Sequence, residues 1–235
     1  MTCITYGIAE DAEVRWIVDK YTRRGIRGKW YTKWGEADLN LPLFGEFSVA
    51  NVAAAMGVAI YRGYTLSEVA DALGNLPSIP GRMETYRVDG RPTVVIDYAH
   101  TPDALRMALS AIRMHMGGRL ICVFGCGGDR DQGKRPLMGA VVASESDMAI
   151  VTADNPRTEK VDFINEQIVE GFGNWDAYRL IPERGAAVLE ALNSASPDDV
   201  VLIAGKGHEN TQEINGQKNV FDDRVFVKNL LGLTD

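Results

Sequence analysis

Four short segments of the sequence combine glycines or turn residues with side chains that can bind ions. They are DYAHTPD (97–103), GCGGDRD (125–131), DNPRTE (154–159) and GKGHE (205–209). Glycine lets backbone N–H groups approach an anion, and an arginine can hold both oxygens of a carboxylate or phosphate. An acid, an amide and an arginine together can bind both charges of a zwitterion. The four segments therefore predict a binding site for a charged small molecule.

Each segment also has a purely structural explanation. Segment 125–131 could be a tight turn with a surface Arg–Asp pair, 154–159 a turn that caps the next helix, and 205–209 a surface turn. His100 could cap or pack against the helix that follows it. Asp97 is harder to explain in this way, because a carboxylate at the end of an apolar strand needs a partner or a ligand.

The glycine-rich segments match neither of two common nucleotide-binding motifs. GCGGDRD lacks the third glycine of the dinucleotide-binding fingerprint, and no segment of the sequence has the form GxxxxGK[ST]. Of the other reactive side chains, His115 is predicted within a helix and Cys122 within a strand, so both are expected to be structural. Cys126 has no basic neighbour close in sequence that would make it a nucleophile.

Apolar runs in the second part of the chain predict the elements that position these loops. Five runs alternate with helical segments: VVID (94–97), LICVF (120–124), MAIVT (148–152), YRLI (178–181) and VVLIA (200–204). This rhythm is typical of a Rossmann-like, doubly wound α/β domain with a mostly parallel sheet. Ligands bind such sheets at the carboxyl ends of the strands, and each of the four segments follows a predicted strand. The segments are therefore predicted to share one rim.

The first part of the chain has a different pattern. Up to about residue 43, β-branched and aromatic residues alternate with polar ones, which favours short antiparallel strands. Two helices are predicted over 48–62 and 65–73. The segment LPSIPG (76–81) then breaks the pattern and marks a domain boundary. The predicted domains are 1–80 and 81–235.

Composition favours a cytoplasmic protein that binds small molecules. The chain of 235 residues is 46% hydrophobic, has a net charge of -7 and contains no block of Lys or Arg, so neither nucleic acid nor a membrane surface is expected as a partner. Its three cysteines fit neither a disulfide framework nor a zinc site, and we expect no metal ligand among these residues. No stretch of about 20 residues is apolar enough to span a bilayer, and the amino terminus lacks a signal-peptide pattern.

In their order, the segments resemble those of the Mur ligases, ATP-dependent ligases of bacterial cell-wall synthesis. Besides the four loops, the resemblance rests on FGEFSVANVAAA (44–55), where Ser48 replaces a usual asparagine, and on GRME (81–84) and GKRPLMG (133–139). It extends from about residue 40 to the end of the chain. It implies the carboxy-terminal domain of this family, preceded by the end of the central ATP-binding domain.

The resemblance implies roles for individual side chains on the nucleotide side. Asn51 would contact the adenine, Arg82 the phosphates and Asp97 the ribose of ATP, with His100 at the same edge. His100 and Lys206 would be the catalytic residues.

The other loops would bind the incoming amino acid. Arg130 would bind one of its carboxylates, and the DNPR form of the loop is typical of ligases that add meso-diaminopimelate. The far end of this amino acid carries an ammonium and a carboxylate, whereas lysine offers only the ammonium, so an arginine there would favour diaminopimelate. The residues implied around the far end are Asp154, Asn155, Pro156, Arg157, Gly205 and Glu209.

The implied reaction joins meso-diaminopimelate to UDP-muramyl dipeptide with ATP and Mg²⁺, through an acyl-phosphate. The family's UDP-binding domain and GK[ST] loop have no counterpart in this sequence. The resemblance therefore implies that the chain begins late in the ATP-binding domain, that an amino-terminal half is supplied in cis or in trans, and that the chain alone is inactive. Two alternatives stay open: a non-catalytic amino-acid-binding fragment, and a related ligase of the lysine-adding, folylpolyglutamate or cyanophycin type.

Overall fold

The computed structural model describes residues 3–233. These residues form two compact units. The first contains the residues up to Ser78 together with Met114–Met116, and the second contains Ile79–Arg113 and the residues from Gly117 onward.

A four-stranded sheet and two helices make up most of the first unit. The sheet buries Trp16, Ile26 and Trp30 against the helices, whose contributions to the core include Val49 and Met56. Threonine and glutamate at the start of the second helix form a reciprocal capping box, as its sequence pattern favours. The elements are β1 (Tyr6–Gly7), β2 (Val14–Thr22), β3 (Gly25–Thr32), β4 (Gly35–Leu41), α1 (Glu46–Tyr61) and α2 (Leu66–Gly74).

Strands β2, β3 and β4 are antiparallel, which confirms the prediction for them. Strand β1 instead pairs with β2 in parallel, so the prediction of antiparallel strands was wrong there. Thr5 and Glu13 exchange two hydrogen bonds, from each backbone N–H to the other side chain, at 3.0 and 3.1 Å. These bonds hold the two chain segments in the parallel register.

The second unit contains a six-stranded sheet in the order β5-β6-β10-β7-β8-β9. The five predicted runs all form strands, and these strands are parallel to one another. Strand β5 is an antiparallel edge strand that the sequence pattern did not predict, because only three of its residues pair. The strands are β5 (Glu84–Tyr86), β6 (Thr93–Asp97), β7 (Leu120–Phe124), β8 (Met148–Val151), β9 (Tyr178–Leu180) and β10 (Val200–Ala204).

Alternate strand residues are buried on both faces of this sheet. Ile121 and Val201 pack with Val188 and Val227 in one apolar cluster, and Cys122, on the opposite face, is equally buried. Burial of both faces explains why the strands read as continuous apolar runs. The helices are α3 (Pro102–His115), α4 (Lys134–Glu145), α5 (Val161–Val169), α6 (Arg184–Ser194) and α7 (Asp223–Leu231).

A two-stranded hairpin, β11 (Thr211–Ile214) and β12 (Gln217–Val220), was not predicted. Both residues of its turn, Asn215 and Gly216, have positive φ angles of 50° and 76°. An Asn-Gly pair is the usual sequence signal for such a turn. The flanking residues TQEI and QKNV do not alternate between apolar and polar types, so the sequence pattern does not predict these two strands.

None of the helices within residues 3–233 is long and apolar enough to cross a membrane.

Candidate functional site

The carboxyl ends of four adjacent strands gather the predicted loops at one edge of the sheet. In the order β6, β10, β7 and β8, these strands lead into the loops that begin with Tyr98, Gly205, Gly125 and Thr152, and Asp97 is the last residue of β6. The shared rim expected from the sequence is therefore present in the second unit.

Lys206 lies at the centre of the rim, with its side chain fully buried. Its ammonium group donates to the backbone oxygen of Thr211 at 2.7 Å, to Glu209 at 3.1 Å and to the Asn155 side chain at 3.3 Å. The Asn155 amide in turn donates to Glu209 at 3.0 Å. Lys206 therefore links the DNPR loop to the GKGHE loop, and its three hydrogen-bond acceptors all belong to the protein itself.

Asp154 is buried beside this cluster, and its Oδ1 atom makes no hydrogen bond to any residue that the structure describes. The Lys206 ammonium is 3.9 Å away, too far for a hydrogen bond. Burial raises the pKa of the Asp154 carboxyl, although the nearby charges of Arg184 and Lys206 oppose this shift. Gly205 lies beside Asp154, and its φ of 111°, not lack of space, favours glycine there, since a Cβ would lie 3.6 Å from Asp154 Oδ2, an ordinary contact distance. The buried carboxylate is therefore only partly compensated by the protein.

Glu209 provides a second carboxylate next to Asp154. Burial disfavours its ionised form, but the hydrogen bond from Asn155 and the charge of Lys206 outweigh burial and lower the pKa of Glu209. Glu209 therefore stays ionised at a lower pH than an ordinary glutamate.

Arg157 has a left-handed backbone conformation, with a φ of 50°. Its Nη1 atom donates to the backbone oxygen of Gly128 at 2.7 Å, and more weakly to that of Asn155 at 3.5 Å. On the other side of the guanidinium, Nε lies 3.5 Å from the Glu213 carboxylate. The side chain is only 21% exposed, so its direction is defined by the surrounding loops.

Arg130 and Pro156 lie on two loops that touch each other. The Arg130 side chain is exposed, and its nearest hydrogen-bond partner is the backbone oxygen of Asp129 at 3.4 Å. The Asp129 carboxylate accepts from the hydroxyl and backbone N–H of Thr158 at 2.7 and 3.2 Å. A Cβ on Gly128 would lie 1.9 Å from the backbone oxygen of Pro156, so only glycine fits there. Arg130 is therefore free to turn toward a ligand from a rigid loop.

A buried ion pair that the sequence pattern did not reveal fixes the same two loops. Arg135 is fully buried and binds both oxygens of Glu159 at 2.8 and 2.9 Å. It also donates to Gln167 at 2.6 Å and to the backbone oxygen of Gly127 at 3.2 Å. Arg135 lies in GKRPLMG, and its position as the second residue of α4 gave no local sign of burial.

A second buried pair lies at the ends of β8 and β10, the two parallel strands on either side of β7. Arg184 binds both oxygens of Asp223 at 2.8 Å, and neither side chain is exposed. The same guanidinium donates to the backbone oxygens of Ala204 at 3.0 Å and Ala153 at 3.3 Å. Arg184 therefore ties the start of the DNPR loop to the start of the GKGHE loop.

The residues expected on the nucleotide side form a second group at the end of β6. The two oxygens of Asp97 accept from the backbone N–H groups of Met83 and Ala99, each at 2.8 Å. Burial raises the pKa of Asp97, although these hydrogen bonds and the charge of Arg82 oppose the shift. The Arg82 guanidinium lies over the ring of Tyr98, 4.7 Å from its centre.

His100 and Asn51 are the remaining residues expected there. His100 Nδ1 is 2.8 Å from the backbone oxygen of Tyr98, and its Nε2 has no hydrogen-bond partner in the described part of the chain. Its backbone oxygen accepts from Lys134 at 2.8 Å. Asn51 is an exposed residue of α1 in the first unit.

Two glycines bring the nucleotide-side group into contact with the GKGHE loop. A Cβ on Gly81 would lie 2.1 Å from the backbone nitrogen of His208, and one on Gly207 would lie 2.6 Å from the backbone oxygen of Gly81. Both glycines have positive φ angles. The rings of His208 and Tyr98 are 5.3 Å apart. The two halves of the rim thus touch backbone to backbone.

The fold and the rim together define a doubly wound α/β domain whose strand ends carry carboxylates, arginines and a buried lysine. Residues 81–207 match the family described as "Mur ligase, glutamate ligase domain". The chain belongs to the Mur ligase family, as the resemblance of its motifs implied.

Relatives of known name cover almost the whole chain. A UDP-N-acetylmuramoyl-L-alanyl-D-glutamate--2,6-diaminopimelate ligase from Thermosynechococcus vestitus is 45% identical over 229 residues, which are 97% of this chain and 46% of that protein. A protein of the same name from Alkalilimnicola ehrlichii is 46% identical over 209 residues, 89% of this chain and 42% of that protein. A solved structure of a ligase with this name shares 38% identity at a TM-score of 0.73, covering 97% of this chain and 47% of its own. The chain spans about half the length of the curated relatives that it matches.

Proposed function

We propose that the second unit recognises meso-diaminopimelate, and that the protein contributes this recognition to the ATP-dependent ligation of this amino acid to UDP-muramyl dipeptide. The observation that carries the proposal is the convergence of Asp154, Asn155, Arg157 and Glu209 on one rim. Two acids and an arginine match the ammonium and the carboxylate of a zwitterion. The names of the relatives above support the same amino acid.

Each end of the amino acid has a proposed partner. Asp154, whose side chain is 11% exposed, and Glu209 would hold the far ammonium, and Arg157 would hold the far carboxylate. Arg130, exposed at the end of β7, would bind the other carboxylate. The backbone at Gly205 and Pro156 would complete the wall of the site.

We assign Lys206 a positioning role. The sequence pattern suggested a catalytic residue, but a fully buried ammonium that donates to three groups of the protein has little means of reaching a substrate. It instead holds Asn155 and Glu209 in place and compensates the charge of Glu209.

On the nucleotide side we propose that Asp97 binds the ribose and that Arg82 and His100 lie beside the phosphates. The spare lone pairs of Asp97, the Arg82 guanidinium over the Tyr98 ring and the unbonded Nε2 of His100 suit a nucleotide edge. Asn51 lies in the first unit, and the role that the resemblance implies for it stays a prediction. ATP with Mg²⁺ would supply the phosphoryl group that activates the peptide carboxylate. Among residues 3–233, no group of three His, Cys, Asp or Glu side chains could hold a metal ion, and we assign no metal ligand.

We also propose that the first unit is the end of the family's ATP-binding domain, that the boundary between the two domains in the sequence lies near residue 80, and that the protein works in the cytoplasm. Its three cysteines, Cys3, Cys122 and Cys126, are all unpaired, which suits a reducing compartment.

Calorimetric titration of the 235-residue chain tests the proposed ligand. We expect meso-diaminopimelate to bind more tightly than L-lysine. We also expect its affinity to fall as the pH falls through the raised pKa of Asp154, because protonation removes the charge that faces the ammonium. Binding near this pH should release a proton, measured as a dependence of the heat on buffer ionisation.

Asp154→Asn is the matched control for the pH dependence. It should bind meso-diaminopimelate weakly at every pH, without the acid-side decline. An unchanged pH profile in this variant, or equal binding of the two amino acids by the wild-type chain, would contradict the proposed ligand.

The chain by itself is expected neither to hydrolyse ATP nor to ligate. None of its segments has the GxxxxGK[ST] form that wraps the β- and γ-phosphates, and catalysis of phosphoryl transfer depends on that wrapping. The measurement is phosphate release with ATP, Mg²⁺, UDP-muramyl dipeptide and meso-diaminopimelate. Release that depends on both substrates would show that the chain is a complete catalyst.

A further inference from the structure

The guanidinium of Arg157 is hydrogen-bonded to the protein on one side, and its other side has only a long contact with a carboxylate. Nη1 is bound to the backbone oxygen of Gly128 at 2.7 Å. Nη2 makes no hydrogen bond to the residues that the structure describes, and Nε has only the Glu213 carboxylate, at 3.5 Å. An arginine binds a carboxylate best through two parallel N–H groups. With Nη1 engaged, the pair left for a ligand is Nε and Nη2, the side on which Glu213 lies.

The backbone of the β11–β12 hairpin holds Glu213 at this position whatever its side chain does. Arg157 N–H donates to the Glu213 backbone oxygen at 3.0 Å, and Asn215 N–H donates to the Arg157 backbone oxygen at 2.7 Å. Glu213 N–H donates to the Asn155 side chain at 2.9 Å, and the Gln212 side chain donates to the backbone oxygen of Asp154 at 2.8 Å. The hairpin is thus bonded directly to the DNPR loop, and it lies after the residues that match the family.

The Arg157–Glu213 pair is well suited to being replaced. Its closest atoms are 3.5 Å apart, and the two side chains are 21% and 32% exposed. Long, partly exposed ion pairs contribute little to stability. A carboxylate that approaches Nε and Nη2 together, at normal hydrogen-bond length, would form the stronger interaction.

We propose that Glu213 is an intramolecular competitor for Arg157, which neutralises the arginine in the empty site and yields it to the far carboxylate of the bound amino acid. This inference rests on the proposed recognition of meso-diaminopimelate. Glu213 thereby lowers the affinity of Arg157 for the ligand's far carboxylate, because the ligand must first displace the Glu213 carboxylate. An amino acid such as lysine, with no far carboxylate, leaves the Arg157–Glu213 pair intact, so its affinity does not depend on Glu213.

Glu213→Gln tests the competition while keeping the size of the side chain and every backbone hydrogen bond. Calorimetry on the 235-residue chain should show that this variant binds meso-diaminopimelate about two- to fivefold more tightly than the wild type, the range expected for loss of a weak competing ion pair. The affinity for L-lysine should be unchanged. Glu166→Gln, the same change at an exposed position of α5, should alter neither affinity. In an Arg157→Ala background, Glu213→Gln should have no effect.

Equal or weaker binding of meso-diaminopimelate by Glu213→Gln would overturn the competition and make Glu213 a residue that orients Arg157 or holds the ligand's ammonium. So would a gain that persists without Arg157. Glu213→Ala is a second variant and should change affinity in the same direction. A wild-type chain that binds neither amino acid, or both equally, would instead overturn the proposed function, and this inference with it. Preference for meso-diaminopimelate in the wild type, with no gain in either Glu213 variant, would overturn this inference alone.

Discussion

Replacing Arg184 by Met is expected to lower the free energy of unfolding by about 3–5 kcal/mol, the usual cost of breaking a buried ion pair. Arg184 and Asp223 are both fully buried, and the pair is bidentate. Although burial alone would lower the pKa of the Arg184 guanidinium, the charge of Asp223 outweighs it and raises this pKa. The methionine would leave Asp223 charged and unpaired, and the backbone oxygens of Ala153 and Ala204 without their donor. Urea unfolding followed by circular dichroism measures the loss.

The matched control is Arg106→Met, which breaks an ion pair with Glu145 on the surface. Arg106 is 53% exposed, so this change should alter the free energy of unfolding by no more than about 1 kcal/mol. Replacing both members of the buried pair, Arg184→Met with Asp223→Leu, should recover much of the lost stability, because no unpaired charge remains. A loss below about 1 kcal/mol for Arg184→Met alone would mean that water reaches Asp223 and compensates it.

The same substitution should also weaken ligand binding if the protein stays folded. Arg184 holds the ends of β8 and β10 together, and these strands lead into the loops that carry Asp154 and Glu209. A pair that supports the fold here also sets the distance between the two carboxylates of the site.

Much of the fold of the second unit could be predicted because burial on both sheet faces leaves a strong local pattern. The runs at 120–124 and 200–204 are apolar throughout and match β7 and β10 residue for residue. Once these strands are parallel neighbours, the position of the loops follows from chain direction alone. The edge strand β5 carries no such pattern because it has only three residues, of which Tyr86 alone is buried, and the hairpin at 211–220 carries none because its strand residues are partly or fully exposed. Only the Asn-Gly turn marked the hairpin.

The supporting side chains of the site could not be predicted, for a related reason. Arg184 and Asp223 are 39 residues apart, and nothing near either one in sequence indicates that it is buried. The pairing of Glu213 with Arg157 likewise depends on a hairpin in which Glu213 N–H donates to the side chain of Asn155, 58 residues earlier in the chain. Ion-binding residues cluster in short segments that can be recognised, whereas their partners come from wherever the fold brings an opposite charge.

Changing Arg157 to Ala is expected to reduce the affinity for meso-diaminopimelate, or kcat/KM in the complete ligase, by about ten- to hundredfold. The variant removes a charge-assisted, bidentate interaction worth about 1.5–3 kcal/mol, and 1.4 kcal/mol corresponds to about one factor of ten. Lysine should be affected far less, since it has no far carboxylate for Arg157 to bind. Arg157→Lys keeps the charge without the planar pair of N–H groups, so its loss should be intermediate. Calorimetry with both amino acids measures the affinities, and steady-state kinetics of the full-length ligase measures kcat/KM.

The comparison between the two amino acids separates recognition from loop support. Arg157 also binds the backbone oxygen of Gly128 at 2.7 Å, so its removal could loosen the DNPR loop and disturb Asp154 and Asn155. A loosened loop would weaken lysine and diaminopimelate alike, because both need the groups that hold the ammonium. Equal losses would therefore show that Arg157 supports the loop and does not bind the far carboxylate. Arg106→Ala on α3 removes an exposed arginine that makes no contact with this rim, and it should leave both affinities unchanged.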